Sequence, residues 1–136
     1  MTSTLVIASD PVTSPQRLMS MLTHPRPEVR GALASNPNLP LRGLFRLMEE
    51  WPLRVLSNAA MALLQMEDPW VFQRAPLELR QRWARSEAMP GWLLEQLAED
   101  TDSLLRDALA ANPSTPVEVL VKLALPREFQ DEDDED

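Results

Sequence analysis

Three stretches of this chain align without a gap, and what they share is where proline is placed. VRGALASNPNLP (29–40), LRQRWARSEAMP (79–90) and LRDALAANPSTP (105–116) each set an arginine ten residues before a proline: Arg30 and Pro40, Arg80 and Pro90, Arg106 and Pro116. Leucine recurs four and seven residues past each proline, at Leu44 and Leu47, Leu94 and Leu97, Leu120 and Leu123. That spacing puts both leucines on one face of a helix. Proline has no N–H to lose and a φ suited to a first helical turn, so it starts helices and cannot continue them. The residue before a proline avoids the α region, so Asn36-Pro37 and Asn112-Pro113 end the preceding helix, and an asparagine side chain can hold the turn. A chain punctuated in this way is confined to short helices in a fixed order.

Two weaker copies complete the pattern. ASDPVTSP (8–15) fits with one inserted residue, and Met19 and Leu22 take the leucine places. VLSNAAMALLQMEDP (55–69) is degenerate, with Ala59 and Ala62 where Pro37 and Pro40 stand. The copies are spaced by 25, 22, 28 and 26 residues, and five of them cover roughly residues 4–126. Each copy reads as two short helices, one of them partly 3₁₀. One helix follows the recurring proline. The other opens near His24-Pro25-Arg26-Pro27, Glu49-Glu50-Trp51-Pro52, Ala75-Pro76 or Asp100-Thr101-Asp102, with Asp100 or Thr101 as an N-cap. Helices this short are marginal alone, so the copies must stack and bury a shared apolar seam. The expectation is an all-α helical-repeat domain over residues 1–126 and a disordered acidic tail over 127–136.

The string A-x-N-P-x-x-P-x-x-x-L-x-x-L, followed by V/L-R-x-A-L-A, resembles the leucine-rich repeat variant, an α-helical solenoid repeat of bacterial proteins. ASNPNLPLRGLFRL (34–47) and AANPSTPVEVLVKL carry it; ARSEAMPGWLLEQL (84–97) departs by having Ser86-Glu87 in place of Asn-Pro. The resemblance implies a right-handed α-α superhelix, a solenoid of about five two-helix repeats, HEAT-like and armadillo-like in plan. It implies no activity, and it points to a bacterial, cytoplasmic setting. An iron–sulfur module bound by cysteine accompanies the repeats in one member of that family; this sequence holds no cysteine.

Composition removes several chemistries. Without cysteine there is no thiol catalysis, Cys-ligated zinc or disulfide, and three glycines leave no G-x-G-x-x-G or P-loop. The formal charge of −8 is unevenly spread: residues 1–86 carry a net +3 and residues 87–136 a net −11, ending in an unbroken acidic run, Asp131 to Asp136. The N-terminus lacks the basic and apolar regions of a signal peptide, and no run is long enough to span a membrane. The expected location is cytoplasmic. His24, the one histidine, lies in the corner THPRP and reads as a turn residue. Glu49-Glu50 and Glu99-Asp100 sit at helix ends and read as capping or solvated acids. No serine lies in G-x-S-x-G. No catalytic residue, metal site or cofactor is expected, and the protein reads as non-enzymatic.

The candidate residues are therefore those of a binding surface. Trp83 falls where Leu33 and Leu109 fall, so it belongs to the core. Trp92 falls two residues past the proline, where other copies have Arg17, Arg42 and Glu118, so its indole faces solvent as an anchor. Phe45 aligns with Ser20, Glu95 and Val121 and is expected to be partly exposed. Arg42 and Arg46 are i,i+4 on the same helix. Trp92, Phe45, Arg42 and Arg46 make up the expected partner-binding set. Trp51 and Trp70 lie at corners, and Met19, Met21, Met48, Met61, Met66 and Met89 mostly fill seam positions. Arg30, Arg80 and Arg106, with Arg54 nearly in phase, form a row. Its simplest role is to bond carbonyls or acids such as Glu28, Glu78 or Asp102; its alternative role is a basic ladder for phosphate or an acidic peptide. The function that follows is an adaptor or regulatory module binding a partner protein or peptide along a groove. Nucleic-acid binding through the Arg-rich front is the alternative. No membrane partner is expected. Self-association through a repeat end is a further possibility, because TSTLVIA (2–8) is apolar.

Overall fold

A computed structural model describes residues 3–125. Among them are ten α-helices, one turn of 3₁₀ helix and no strand, so the chain is all-α. None of these helices is long and apolar enough to cross a membrane. The expected 126/127 boundary and the acidic run lie outside the described residues. The chain divides into two compact units, Met1–Ala75 and Pro76–Asp136.

The first unit holds α1 (Thr4–Ser9), α2 (Pro15–Ser20), α3 (Pro27–Ala34), α4 (Leu41–Leu47), α5 (Pro52–Ser57), α6 (Ala59–Glu67) and the 3₁₀ turn Val71–Arg74. Proline opens α2, α3 and α5 at the first helical position, where its missing N–H costs nothing. Ser3 and Ser14 cap α1 and α2 by accepting from Val6 and Arg17. Helix α3 packs against α1 and α5, and its buried face, Val29, Gly31, Ala32, Leu33 and Ala34, is the small-residue string of the repeat. Gly31 is small for a reason: a Cβ there would lie 3.0 Å from the Trp51 indole and from an Arg54 nitrogen. Gly43 is tighter still, 2.9 Å from Leu39 and from the Met19 sulfur.

The degenerate copy departs from the others at its helix start. Without proline at 59 and 62, nothing delays the second helix. It begins at Ala59, directly after Asn58, which caps it by accepting from Ala60. In the copies with N-P-x-x-P the helix waits until Leu41 or Val117. The early start rotates the apolar positions: Met61 is buried, but Met66, expected on the seam, is 80% exposed. The 3₁₀ turn supplies the missing core through Val71, Phe72 and Ala75, all buried.

The second unit is regular: α7 (Leu77–Arg85), α8 (Gly91–Leu97), α9 (Ser103–Ala111) and α10 (Val117–Ala124). Helix α7 packs against α9. Trp83, Leu93, Leu94, Leu97, Leu105 and Leu109 are fully buried. Trp83 therefore occupies the core as its alignment with Leu33 and Leu109 requires. Pro40, Pro90 and Pro116 sit at the N-cap, one residue before the helices they introduce. The cap of α9 is Asp102, which accepts from Leu105, rather than Asp100 or Thr101. Asp100 instead accepts from the Asp102 backbone N–H and from Arg80.

Inside the units, a buried asparagine closes each joint between consecutive copies, two in the first unit and one in the second. The Asn36 amide donates to Ala8 O (2.8 Å) and Asp10 O (3.0 Å). Asn58 donates to Ala34 O (2.9 Å) and Asn36 O (3.0 Å), and Asn112 to Ala84 O and Ser86 O (both 2.9 Å). Each side-chain oxygen meanwhile accepts from the backbone two residues on, at Asn38, Ala60 or Ser114. Only a primary amide provides two donors and an acceptor in one short side chain. The matching position opening the second unit is Ser86, whose hydroxyl keeps the turn bond, to Ala88 N, but has no pair of donors.

Candidate interaction surfaces

The arginine row is built into the joints. Arg30 on α3 grips Glu50 with a two-pronged fork, Nε to Oε1 at 2.8 Å and Nη2 to Oε2 at 2.7 Å. Its remaining nitrogen donates to His24 O. Arg80 on α7 pairs with Asp100 in the same register, twenty residues on. Arg106 on α9 donates to Ala98 O (2.8 Å) and Asp100 O (3.1 Å). Arg54 lies over the Trp51 ring, 4.9 Å from its centroid, a cation–π contact. These hydrogen-bond partners are corner acids and carbonyls, while Glu28 acts on Arg30 through its charge. Glu28 pairs with Arg26 at 3.1 Å, and Asp102 receives Gln81 at 2.9 Å. The Arg30 fork holds the Glu50 carboxyl below its ordinary range and raises the Arg30 guanidinium above its own. The Gln81 bond, then the Leu105 N–H, lower Asp102 in the same sense.

His24 is a turn residue: Nδ1 accepts from Arg26 N at 3.1 Å, and its carbonyl receives Arg30. Among the described residues no group of three or more His, Asp or Glu side chains could hold a metal ion.

The expected binding set separates into three fates. Trp92, at the second residue of α8, is 41% exposed, as its alignment with Arg17, Arg42 and Glu118 requires. Arg42 and Arg46 share the outer face of α4, both exposed. Among the described residues neither has a hydrogen bond or ion pair to its side chain, and the same holds for Arg17 on α2. Phe45, in contrast, is 5% exposed. Its ring meets Phe72 at 5.9 Å between centroids and 52° between planes, because the 3₁₀ turn carries Phe72 (0% exposed) into the core beside it. Phe45 is a core residue and leaves the surface set. Trp92 belongs to the second unit; Arg42 and Arg46 belong to the first. Trp51 is half-buried against Gly31, and Trp70 is 51% exposed.

The asparagine amides are the residues that sequence reasoning missed. Asn36 and Asn112 read as turn formers, which accounts for their oxygen and not for their two N–H groups. The available signal was Asn58, retained in the copy that had lost both prolines. Apolar surface also collects at the end of the second unit, where Val117 (70%), Val121 (56%), Leu125 (45%) and Leu104 (66%) are exposed. No family model, curated protein or solved structure matches this chain.

Proposed function

We propose that the chain is a short right-handed solenoid of five two-helix copies, of the leucine-rich repeat variant kind. In this reading it is a non-enzymatic module that binds a partner protein. The exposed indole of Trp92 carries the reading. At that repeat position other copies hold charged residues, and a tryptophan 41% open to solvent keeps apolar surface in water that a partner would cover. The buried asparagine joints support the stacked plan, because they place equivalent residues of neighbouring copies in equivalent surroundings.

Affinity capture from the native cell, with parent and Trp92→Ala chains as paired baits, tests the reading. A partner recovered with the parent and lost with the variant is expected, with the variant's helical circular dichroism unchanged. Equal recovery removes Trp92 from the site.

The second reading is nucleic-acid binding. It draws on Arg17, Arg42 and Arg46, which are exposed and, among the described residues, have no side-chain hydrogen bond or ion pair. Arg30 and Arg80 are committed to carboxylates and Arg106 to carbonyls, which leaves that row with fewer donors for phosphate. A gel shift at low salt that fades steeply with added salt would favour this reading; no shift would leave the protein-binding reading standing.

A further inference from the structure

Each joint inside the units is closed in the same way: one amide bridges two carbonyls of the copy before it. The last copy offers those two carbonyls again. Asn112 O accepts Thr115 N at 3.1 Å, just as Asn36 O accepts Leu39 N at 3.1 Å, but among the described residues no amide completes it. Ala110 O, in the phase of Ala8, Ala34 and Ala84, accepts no hydrogen bond among the described residues. The chain cannot supply one locally, since Pro113 has no N–H and Ser114 N is held by Asn112 Oδ1 at 2.9 Å. The apolar part of the joint is open too. Leu120 is 36% exposed, although Leu44 and Leu94 in the same phase are 0% exposed. An open groove of about 290 Å³ runs along this edge, lined by Arg106, Ala110 and Leu123 among others. Water can satisfy the two carbonyls, but only an apolar surface removes Leu120 from water.

The opposite end differs in one atom pair. Asp10 stands first in the series Asp10, Asn36, Asn58. Its Oδ1 accepts Val12 N at 2.9 Å, the turn bond each asparagine makes. An ionised carboxylate only accepts. Laid over Ala110 O and Asn112 O of another copy, it would set acceptor against acceptors. Helix α1 meanwhile presents Val6, 56% exposed, and Leu5, 37% exposed, so the apolar half of a head-to-tail joint exists and the polar half is reversed.

We propose that the α9–α10 edge is a docking step for a two-helix repeat of another protein whose first helix ends in asparagine, and that Asp10 stops a second copy of this chain from filling it. The occupant is fixed by continuity with the joints already in the molecule: two carbonyls at this spacing call for one primary amide, beside a helix covering Leu120. None of these residues belongs to the Trp92 surface, so this inference and the preceding one fail separately.

The chain itself supplies the probe. Asp10→Asn keeps the turn acceptor and adds the two missing donors. Sedimentation velocity of the full chain is expected to show the parent as a 15.4 kDa monomer at all loadings. The Asp10→Asn variant should shift to heavier species as concentration rises. A double variant, Asp10→Asn with Leu120→Asp, has a donor end and a spoiled acceptor edge. It should be monomeric alone yet form a one-to-one complex with the unaltered chain. An Asp10→Asn variant that stays monomeric at every loading, or a parent that associates as strongly as the variant, would overturn the proposal. So would a double variant that polymerises like the single one.

Discussion

The two units are built from the same repeat and differ in how strictly they keep it. In the second, α7 to α10 follow the proline phases, and the leucines past Pro90 are fully buried. In the first, the copy without prolines starts its helix at Ala59, throws Met66 into solvent and borrows Phe72 from a 3₁₀ turn to finish its core. The comparison separates two jobs that the N-P-x-x-P string performs together. Proline sets where the second helix starts and hence which face is apolar. Asparagine sets the joint between copies. Asn58 shows that the joint survives when the timing is lost. The outer surfaces diverge as well: exposed cations on α2 and α4 of the first unit, an exposed indole and the exposed acids Glu95 and Glu118 in the second.

The comparison can be broken most severely at the core of the regular unit. Trp83→Ala removes a fully buried indole and is expected to cost about 3–5 kcal/mol, read as a fall in urea midpoint with an unchanged slope. Leu33→Ala, at the same phase of the first unit, is expected to cost about 2–5 kcal/mol. The timing claim predicts that proline, native at positions 40, 90 and 116, is harmful at their counterpart. Ala62 N donates to Asn58 O at 3.0 Å inside α6, so Ala62→Pro should cost about 3 kcal/mol. An unperturbed midpoint would mean that the degenerate copy can still adopt the regular phase.

Smaller changes sharpen the joint. Asn112→Ala strips two donors from Ala84 O and Ser86 O and is expected to cost about 1–3 kcal/mol. Asn112→Asp should be at least as damaging, since it adds acceptors where donors are needed. The smallest effect is on the acid limb of stability. Glu50 titrates below its ordinary value of 4.5 because Arg30 holds the carboxylate. The pair's contribution is therefore complete above the unfolded value and lost as pH falls through the lower folded one. With Glu50 side chains 40% exposed, the effect is small. Glu50→Gln should flatten the loss of melting temperature between about pH 5 and 3; an identical acid limb would show that the fork adds nothing.

These results also mark how far the amino-acid order could be read directly. Where proline and leucine recur in phase, residue-by-residue alignment placed Leu44, Leu47, Leu94, Leu97 and Trp83 inside and Trp92 outside, although Leu120 in the same phase is 36% exposed. It failed where a contact came from outside the repeat: Phe45 aligned with Ser20, Glu95 and Val121, and Phe72, in a segment with no counterpart, packs against it. It failed again where a helix shifted phase, as at Met66. Partners at long separation were equally illegible. Nothing local says that Arg30 and Arg80 reach acids twenty residues on, or that Asp102 rather than Asp100 caps α9. The amides of Asn36, Asn58 and Asn112 were visible as recurring letters but not as bonds, because turn chemistry alone accounts for half of what they do.

The central claim is that stacked copies are fastened by buried asparagine amides, and side-chain amide hydrogen exchange tests it most directly. In a ¹⁵N spectrum with assigned NH₂ pairs, the account predicts slow exchange at Asn36, Asn58 and Asn112 and rapid exchange at the exposed glutamine Gln16. Exchange at all four sites at the same fast rate would contradict it.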